Sequence, residues 1–200
     1  MKHDFSDLFS KEGVHFLESL VLPERTKQCL LSLLETLSHL QKVLGEIRNE
    51  IHAAAKEDED AKLLETIPGI GYFSALLILK EIGTVERFPS AKKLVSYSGL
   101  APGISSSGGK TYSRGITKEG NKYLRWILIQ AASSVIRSKK DRRLMRLYTR
   151  IQYRRNSKIA KVALAKEILN IAYFILKKKE PYDSMRLCKP NDQRAILNGV

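Results

Sequence analysis

The clearest periodicity in the chain begins after Pro23. Leu30, Leu33, Leu37, Leu40, Leu44, Ile47 and Ile51 recur alternately three and four residues apart, with polar residues on both flanks. That spacing is the a/d seam of a heptad repeat, and it predicts a long coiled-coil helix over residues 23–56. Pro23 suits its first turn, where a missing N–H costs nothing. The seam predicts pairing of two chains; a long helix packing on its own domain is the alternative. Residues 1–22 mix acids, serines and short apolar groups, and predict weak structure or a short helix stopping before Pro23.

A charged break, "KEDEDAK" (Lys56–Lys62), follows. Adjacent carboxylates of this kind are ordinarily solvated, and no metal site is predicted from them. The next segment, "LLETIPGIGYFSALLILKEIG" (Leu63–Gly83), predicts a helix ending at Thr66, a tight turn through Pro68-Gly69-Ile70-Gly71, and a second helix from Tyr72. Ile67, Ile70 and Ala75 would pack the two helices together. The pattern resembles a helix-hairpin-helix, in which Gly69 and Gly71 let DNA backbone approach and a helix start attracts phosphate. A plain corner of two helices would look the same.

"FPSAKKLVSYSG" predicts a short helix capped by Ser90 and ending at Gly99. Three further helices are predicted over 121–137, 141–155 and 158–179 from their apolar faces. The middle one sets Arg143, Arg146, Arg150 and Arg154 at helical spacing opposite Leu144, Leu147, Tyr148 and Ile151. Between Gly99 and Asn121 lies a Gly/Ser loop in which "KTYSRGI" could form one arm of a small hairpin. Residues 181–200 read as an irregular tail. The expected fold is mainly α: the long helix, then a compact helical domain over 63–180 containing the hairpin and the Gly/Ser loop.

Charge changes the picture. The chain carries +14 overall, and the excess is concentrated. Lys110 to Glu180 hold 20 Lys and Arg against 4 Asp and Glu, a net of +16; the remainder holds 15 against 17, a net of −2. Such a region favours a polyanionic partner. A membrane surface is the weaker choice, because the apolar residues of the basic helix over 141–155 are needed for the core. The apolar runs are too short or too interrupted to span a bilayer. Two cysteines (Cys29, Cys188) and four scattered histidines suggest neither a disulfide framework nor a zinc site. The expected setting is cytoplasmic, and with DNA as partner nucleoid-associated.

The loop's candidate chemistry rests on Ser105, Ser106 and Ser107, followed by two glycines and then by Lys110, Arg114, Lys118, Lys122 and Arg125. A serine hydroxyl needs a base or a stabilised leaving charge to act as a nucleophile. No His–Asp pair is near in sequence, and cations would stabilise a phosphodiester under attack. Phosphoryl transfer therefore fits better than acyl transfer, with an ordinary solvent loop as the alternative.

The order "IPGIG", "LVSYSGLAPG", "SSSGG" and "GITKEGNKYLRWILIQAA" resembles the C-terminal domain of insertion-sequence transposases of the one-ten type, relatives of the Piv- and MooV-type DNA invertases. The resemblance covers Leu63 to about Pro181, and the coiled-coil arm suits it. It implies an RNA-guided serine recombinase that joins a metal-binding RuvC-like domain to a domain carrying a serine nucleophile, which makes a phosphoserine link to DNA. The family's Ser-Gly element maps onto Ser107-Gly108, with Ser106 and Ser105 in reach of a register slip. Where many relatives place a serine, this chain has Thr117, read here as a helix cap. No strand-rich segment with paired acids precedes the coiled coil. The expectation is a transposase or recombinase domain that binds DNA and guide RNA, pairs through its coiled coil and is catalytically incomplete. It would need no cofactor of its own, with Mg2+ required only where a separate RuvC-like domain supplies the carboxylates. The alternative function is a non-catalytic, dimeric DNA- or RNA-binding module.

Overall fold

The computed structural model describes residues 7–107 and 110–184. It is mainly α, with eight helices and one two-stranded sheet among the described residues. The chain divides into two compact units at Glu50/Ile51.

In the first unit, α1 (Lys11–Ser19) is capped by Ser10, whose side chain accepts from the Gly13 N–H. The long helix α2 starts at Glu24, directly after Pro23, and runs to Glu57. Lys27 ties the two together by donating to the backbone carbonyls of Glu18 and Leu20. Of the heptad seam, Leu33, Leu40, Leu44 and Ile47 are exposed, and Leu30 and Leu37 are half-buried.

In the second unit, Asp58 interrupts the helical path and caps α3 (Glu59–Glu65), accepting from the N–H groups of Asp60 and Ala61. The charged break is thus one residue long. The turn Thr66–Gly71 leads to α4 (Tyr72–Ile82), and a 3-10 turn (Val85–Arg87) to α5 (Ala91–Tyr97), which Ser90 caps. Strands β1 (Pro102–Ser107) and β2 (Lys110–Ile116) form an antiparallel hairpin, so the "KTYSRGI" arm is β2. The three remaining helices are α6 (Lys122–Ser138), α7 (Arg142–Arg154) and α8 (Ser157–Lys178), capped by Asn121, Asp141 and Asn156. Each side chain accepts from a first-turn N–H, a contact worth about 1 kcal/mol per helix.

Helix α8 is the axis of this unit and packs against α3, α5, α6, α7 and the 3-10 turn. Leu164, Ala165, Ile168, Leu169 and Ala172 are fully buried on it, facing Leu124 and Leu128 of α6, Leu144 of α7, and Leu64 and Ile78 in one continuous core. Ile67, Ile70 and Ala75 are buried, as either a hairpin or a plain corner of two helices requires. No helix among the described residues is long and apolar enough to cross a membrane. Most of the tail, from residue 185, lies outside the described residues. Its first residues are packed: Tyr182 donates from its backbone N–H to Thr66 Oγ1 at 2.8 Å, and Lys179 pairs with Asp60 at 2.5 Å.

Candidate functional site: a serine hairpin held by a basic helical domain

The hairpin grows from a backbone clamp that joins two distant stretches of sequence. The Asn121 N–H donates to the Tyr97 carbonyl (2.8 Å), Lys118 N–H to that of Gly99 (3.3 Å) and Thr117 N–H to that of Ala101 (3.0 Å). Gly120 lies so close to Tyr97 that a Cβ would collide with its carbonyl oxygen. A Cβ on Gly99 would meet Arg125 Nη1 at 2.5 Å. That nitrogen donates to the carbonyls of Ser98 and Lys118, both at 3.2 Å. Asn121 is the hub. Its Oδ1 accepts from the N–H groups of Tyr123 and Leu124, and its Nδ2 donates to Glu81 Oε2 (2.5 Å) and Tyr97 Oη (3.4 Å). The residues of "YSGLA" and "TKEGN..LR" thus fit each other, and they fix where the hairpin leaves the domain.

From that base the strands run Pro102↔Ile116 to Ser107↔Lys110, with a bulge between Pro102 and Ile104. The five steps from Pro102 to Ser107 cover about 17 Å of strand. Ser107 therefore stands at the far end of β1, with Lys110 as its backbone partner; Ser106 pairs with Thr111 and Ser105 with Tyr112. The side chains of residues 104–114 lie outside the description, including Ser105, Ser106, Ser107, Lys110 and Arg114, as does Gly108 entirely.

The predicted cations separate into two groups. Lys118 and Lys122 are exposed at the hairpin base. Arg125 is half-buried and turned inward on the clamp, where it positions the loop. Thr117 does not cap a helix, since Asn121 does; its N–H belongs to the clamp. On α7, Arg146, Arg150 and Arg154 are exposed as expected. Arg143 leaves that stripe: it pairs with Glu167 of α8 at 2.6 Å, with side-chain exposures of 22% and 12%. The exposed row is instead Arg142, Arg146, Arg150 and Arg154, each four residues on. The i, i+4 register that reveals Arg142 was present in the sequence, but only burial of Arg143 discriminates between the two.

Beside that ion pair, buried Asp141 accepts from Leu144 N–H (2.7 Å) and Tyr182 Oη (2.8 Å). Burial first, and then the Asp141 carboxylate, push the Tyr182 phenol well above its usual range. This cluster joins α7, α8 and, through Tyr182, the segment that follows α8.

At the α3–α4 turn the two predicted glycines differ. Gly69 has φ +89°, and a Cβ there would lie 2.5 Å from the Ala131 carbonyl oxygen and 2.7 Å from Val135 of α6. It is a packing glycine that seats the turn on α6. Gly71 is exposed, caps α4 without a side-chain hydrogen bond, and has open space around it. Its end of α4 offers unpaired N–H groups to solvent. Among the described residues no three His, Cys, Asp or Glu side chains converge as a metal donor set.

Residues 61–149 match the family described as "Transposase IS116/IS110/IS902 family". The chain is 34% identical over 168 residues to the transposase for insertion sequence element IS1111A of Coxiella burnetii, covering 82% of this chain and 46% of that protein. It is 31% identical to the transposase for IS1328 of Yersinia enterocolitica, covering 77% and 47%. Against the pilin gene-inverting protein of Moraxella bovis it is 28% identical, covering 86% and 57%. The chain thus spans about half the length of these relatives.

Proposed function

We propose that this chain is the DNA-engaging half of a transposase or site-specific recombinase, with Ser107 as its nucleophile. The observation that carries the reading is the clamp of Gly99, Gly120, Asn121 and Arg125, which gives a serine-bearing hairpin a defined root within a transposase domain. Ser107 Oγ attacks a DNA phosphorus; an Oγ–P bond forms as one P–O bond of the DNA strand breaks. The serine proton is released and the departing DNA oxygen takes one up. A hydroxyl of a second DNA end then attacks the phosphoserine, rejoins the strand and restores the serine. Lys110 and Arg114 on β2 offset charge at the phosphate, while Lys118, Lys122, Gly71 and the row on α7 hold the flanking backbone. Gly69, Arg125 and Arg143 act through packing. A RuvC-like domain with Mg2+, a guide RNA and a second copy paired along the α2 seam complete the assembly, which works on the nucleoid in the cytoplasm.

A second reading, a dimeric nucleic-acid-binding module without chemistry, draws on the exposed α2 seam and the exposed arginine row. One experiment separates the two. Denaturing gels of the chain with target DNA, in the presence of a RuvC-like domain and a guide RNA, are expected to show a covalent adduct in wild type and in Ser106→Ala but none in Ser107→Ala. Adducts persisting in Ser107→Ala reject that residue. Salt-sensitive binding with no adduct in any form leaves the binding module.

A further inference from the structure

We propose that the outer face of α6 is a stacking platform for unpaired DNA bases, a site separate from the serine hairpin. Tyr123 and Trp126, three residues apart on one helix face, are 54% and 49% exposed. Exposing two large aromatics side by side forfeits burial that each would otherwise gain. Among the described residues neither packs on another aromatic ring, and the Lys122 ammonium sits 4.9 Å from the centre of the Tyr123 ring. Gln130 and Arg137 continue the exposed face toward the C-terminal end of the helix, and Lys118 is exposed on the loop that leads into it. Lys118, Lys122 and Arg137 make no ion pair among the described residues.

The flanking cations decide the occupant. The centres of protein–protein interfaces are depleted in lysine. Aromatic faces set in a cationic track are the usual means of holding single strands, because every base has a face to stack and every phosphate a charge to meet. DNA is favoured over RNA because residues 61–149 match a transposase family, and cutting and exchanging duplex strands leaves bases unpaired. The placement agrees: α6 starts at Asn121, the hub of the clamp, so the platform lies at the hairpin's root, where a displaced strand would pass. The inference rests on the nucleic-acid-binding reading above, but not on the identity of the nucleophile.

Trp126 is the only tryptophan in the chain, so its fluorescence reports on this face alone. Titration of the full chain with oligo-dT, oligo-U of the same length and a blunt DNA duplex, at fixed salt, is expected to quench Trp126 with oligo-dT most strongly and with duplex least. Measured by anisotropy with labelled oligonucleotides, Tyr123→Ala and Trp126→Ala are each expected to weaken oligo-dT binding about tenfold or more. Both should leave duplex affinity within about twofold and the thermal midpoint unchanged, since neither side chain is buried. Tyr123→Phe should bind as wild type. Oligo-dT affinity unchanged in both alanine variants, or equal quenching by duplex, would overturn the platform while leaving the domain a DNA binder. Tighter binding of oligo-U than of oligo-dT would overturn the assignment to DNA. Failure to bind any of the three would remove the underlying reading as well.

Discussion

Helices α2 and α8 are both rich in leucine and isoleucine, and they dispose of them in opposite ways. On α8 the apolar positions surround most of the helix, and Leu164, Ile168, Leu169 and Leu176 are buried against four other helices and a 3-10 turn. On α2 most of them fall on a two-in-seven stripe, with Leu31 and Leu34 beside it, and Leu33, Leu40, Leu44 and Ile47 are exposed. A helix apolar on many sides is covered by its own domain; a narrow stripe with polar flanks suits one partner helix. The same residue types therefore stabilise the domain in one place and remain exposed in the other.

Truncation should expose that contrast most strongly. Leu164→Ala is expected to cost about 2–5 kcal/mol of stability in the Ile51–Val200 unit, read from its thermal or urea transition. Leu40→Ala, at a concentration where the chain is monomeric, should shift the same transition by less than about 0.5 kcal/mol. Equal losses would mean that the α2 stripe is core after all. If the stripe pairs two chains, Leu40→Asp should instead abolish concentration-dependent association in sedimentation.

A smaller effect is expected at the clamp. Asn121→Ala removes the cap of α6 and leaves Glu81 without its amide partner, for a loss of about 1–2 kcal/mol. Exchange of the Thr117 and Lys118 amides should quicken, while those of α2 stay as they were. Unchanged exchange would show that the hairpin's root does not depend on Asn121.

The smallest effect is confined to alkaline pH. Tyr182 is held neutral in the folded chain, above the value near 10 of a free phenol. Its contribution to stability is complete below about pH 10 and is lost as pH rises through the folded value, because the unfolded chain sheds the proton first. Tyr182→Phe should flatten that alkaline decline in the unit containing α8 and leave α2 helicity unaffected. An unaltered alkaline slope would mean that the Asp141–Tyr182 contact does not hold in solution.

Much of the architecture could be read locally. Pro23 and Ser90 mark helix starts, the first by its missing N–H and the second because a cap is a contact between residues three apart in sequence. The "KTYSRGI" arm was legible from its turn residues, but its pairing partner, Pro102–Ser107, was not. Four side chains escaped local reading for one reason. Gly69, Arg125 and Arg143 resemble nucleic-acid contacts in the one-dimensional pattern, and Thr117 resembles a cap. Their partners (Ala131, Ser98, Glu167 and Ala101) lie 16 to 62 residues away.

From the sequence alone came most of the helices, the Ser90 cap, the heptad stripe and the concentration of positive charge, all properties of neighbouring residues and of composition. Tertiary structure alone decided which glycines are filled space and which are open, and which cations are spent on carbonyls and carboxylates. It also decided that Tyr123 and Trp126 remain at the surface. The physical reason is that burial and pairing depend on what the rest of the chain brings within about 4 Å of an atom, and periodicity within one helix does not encode that.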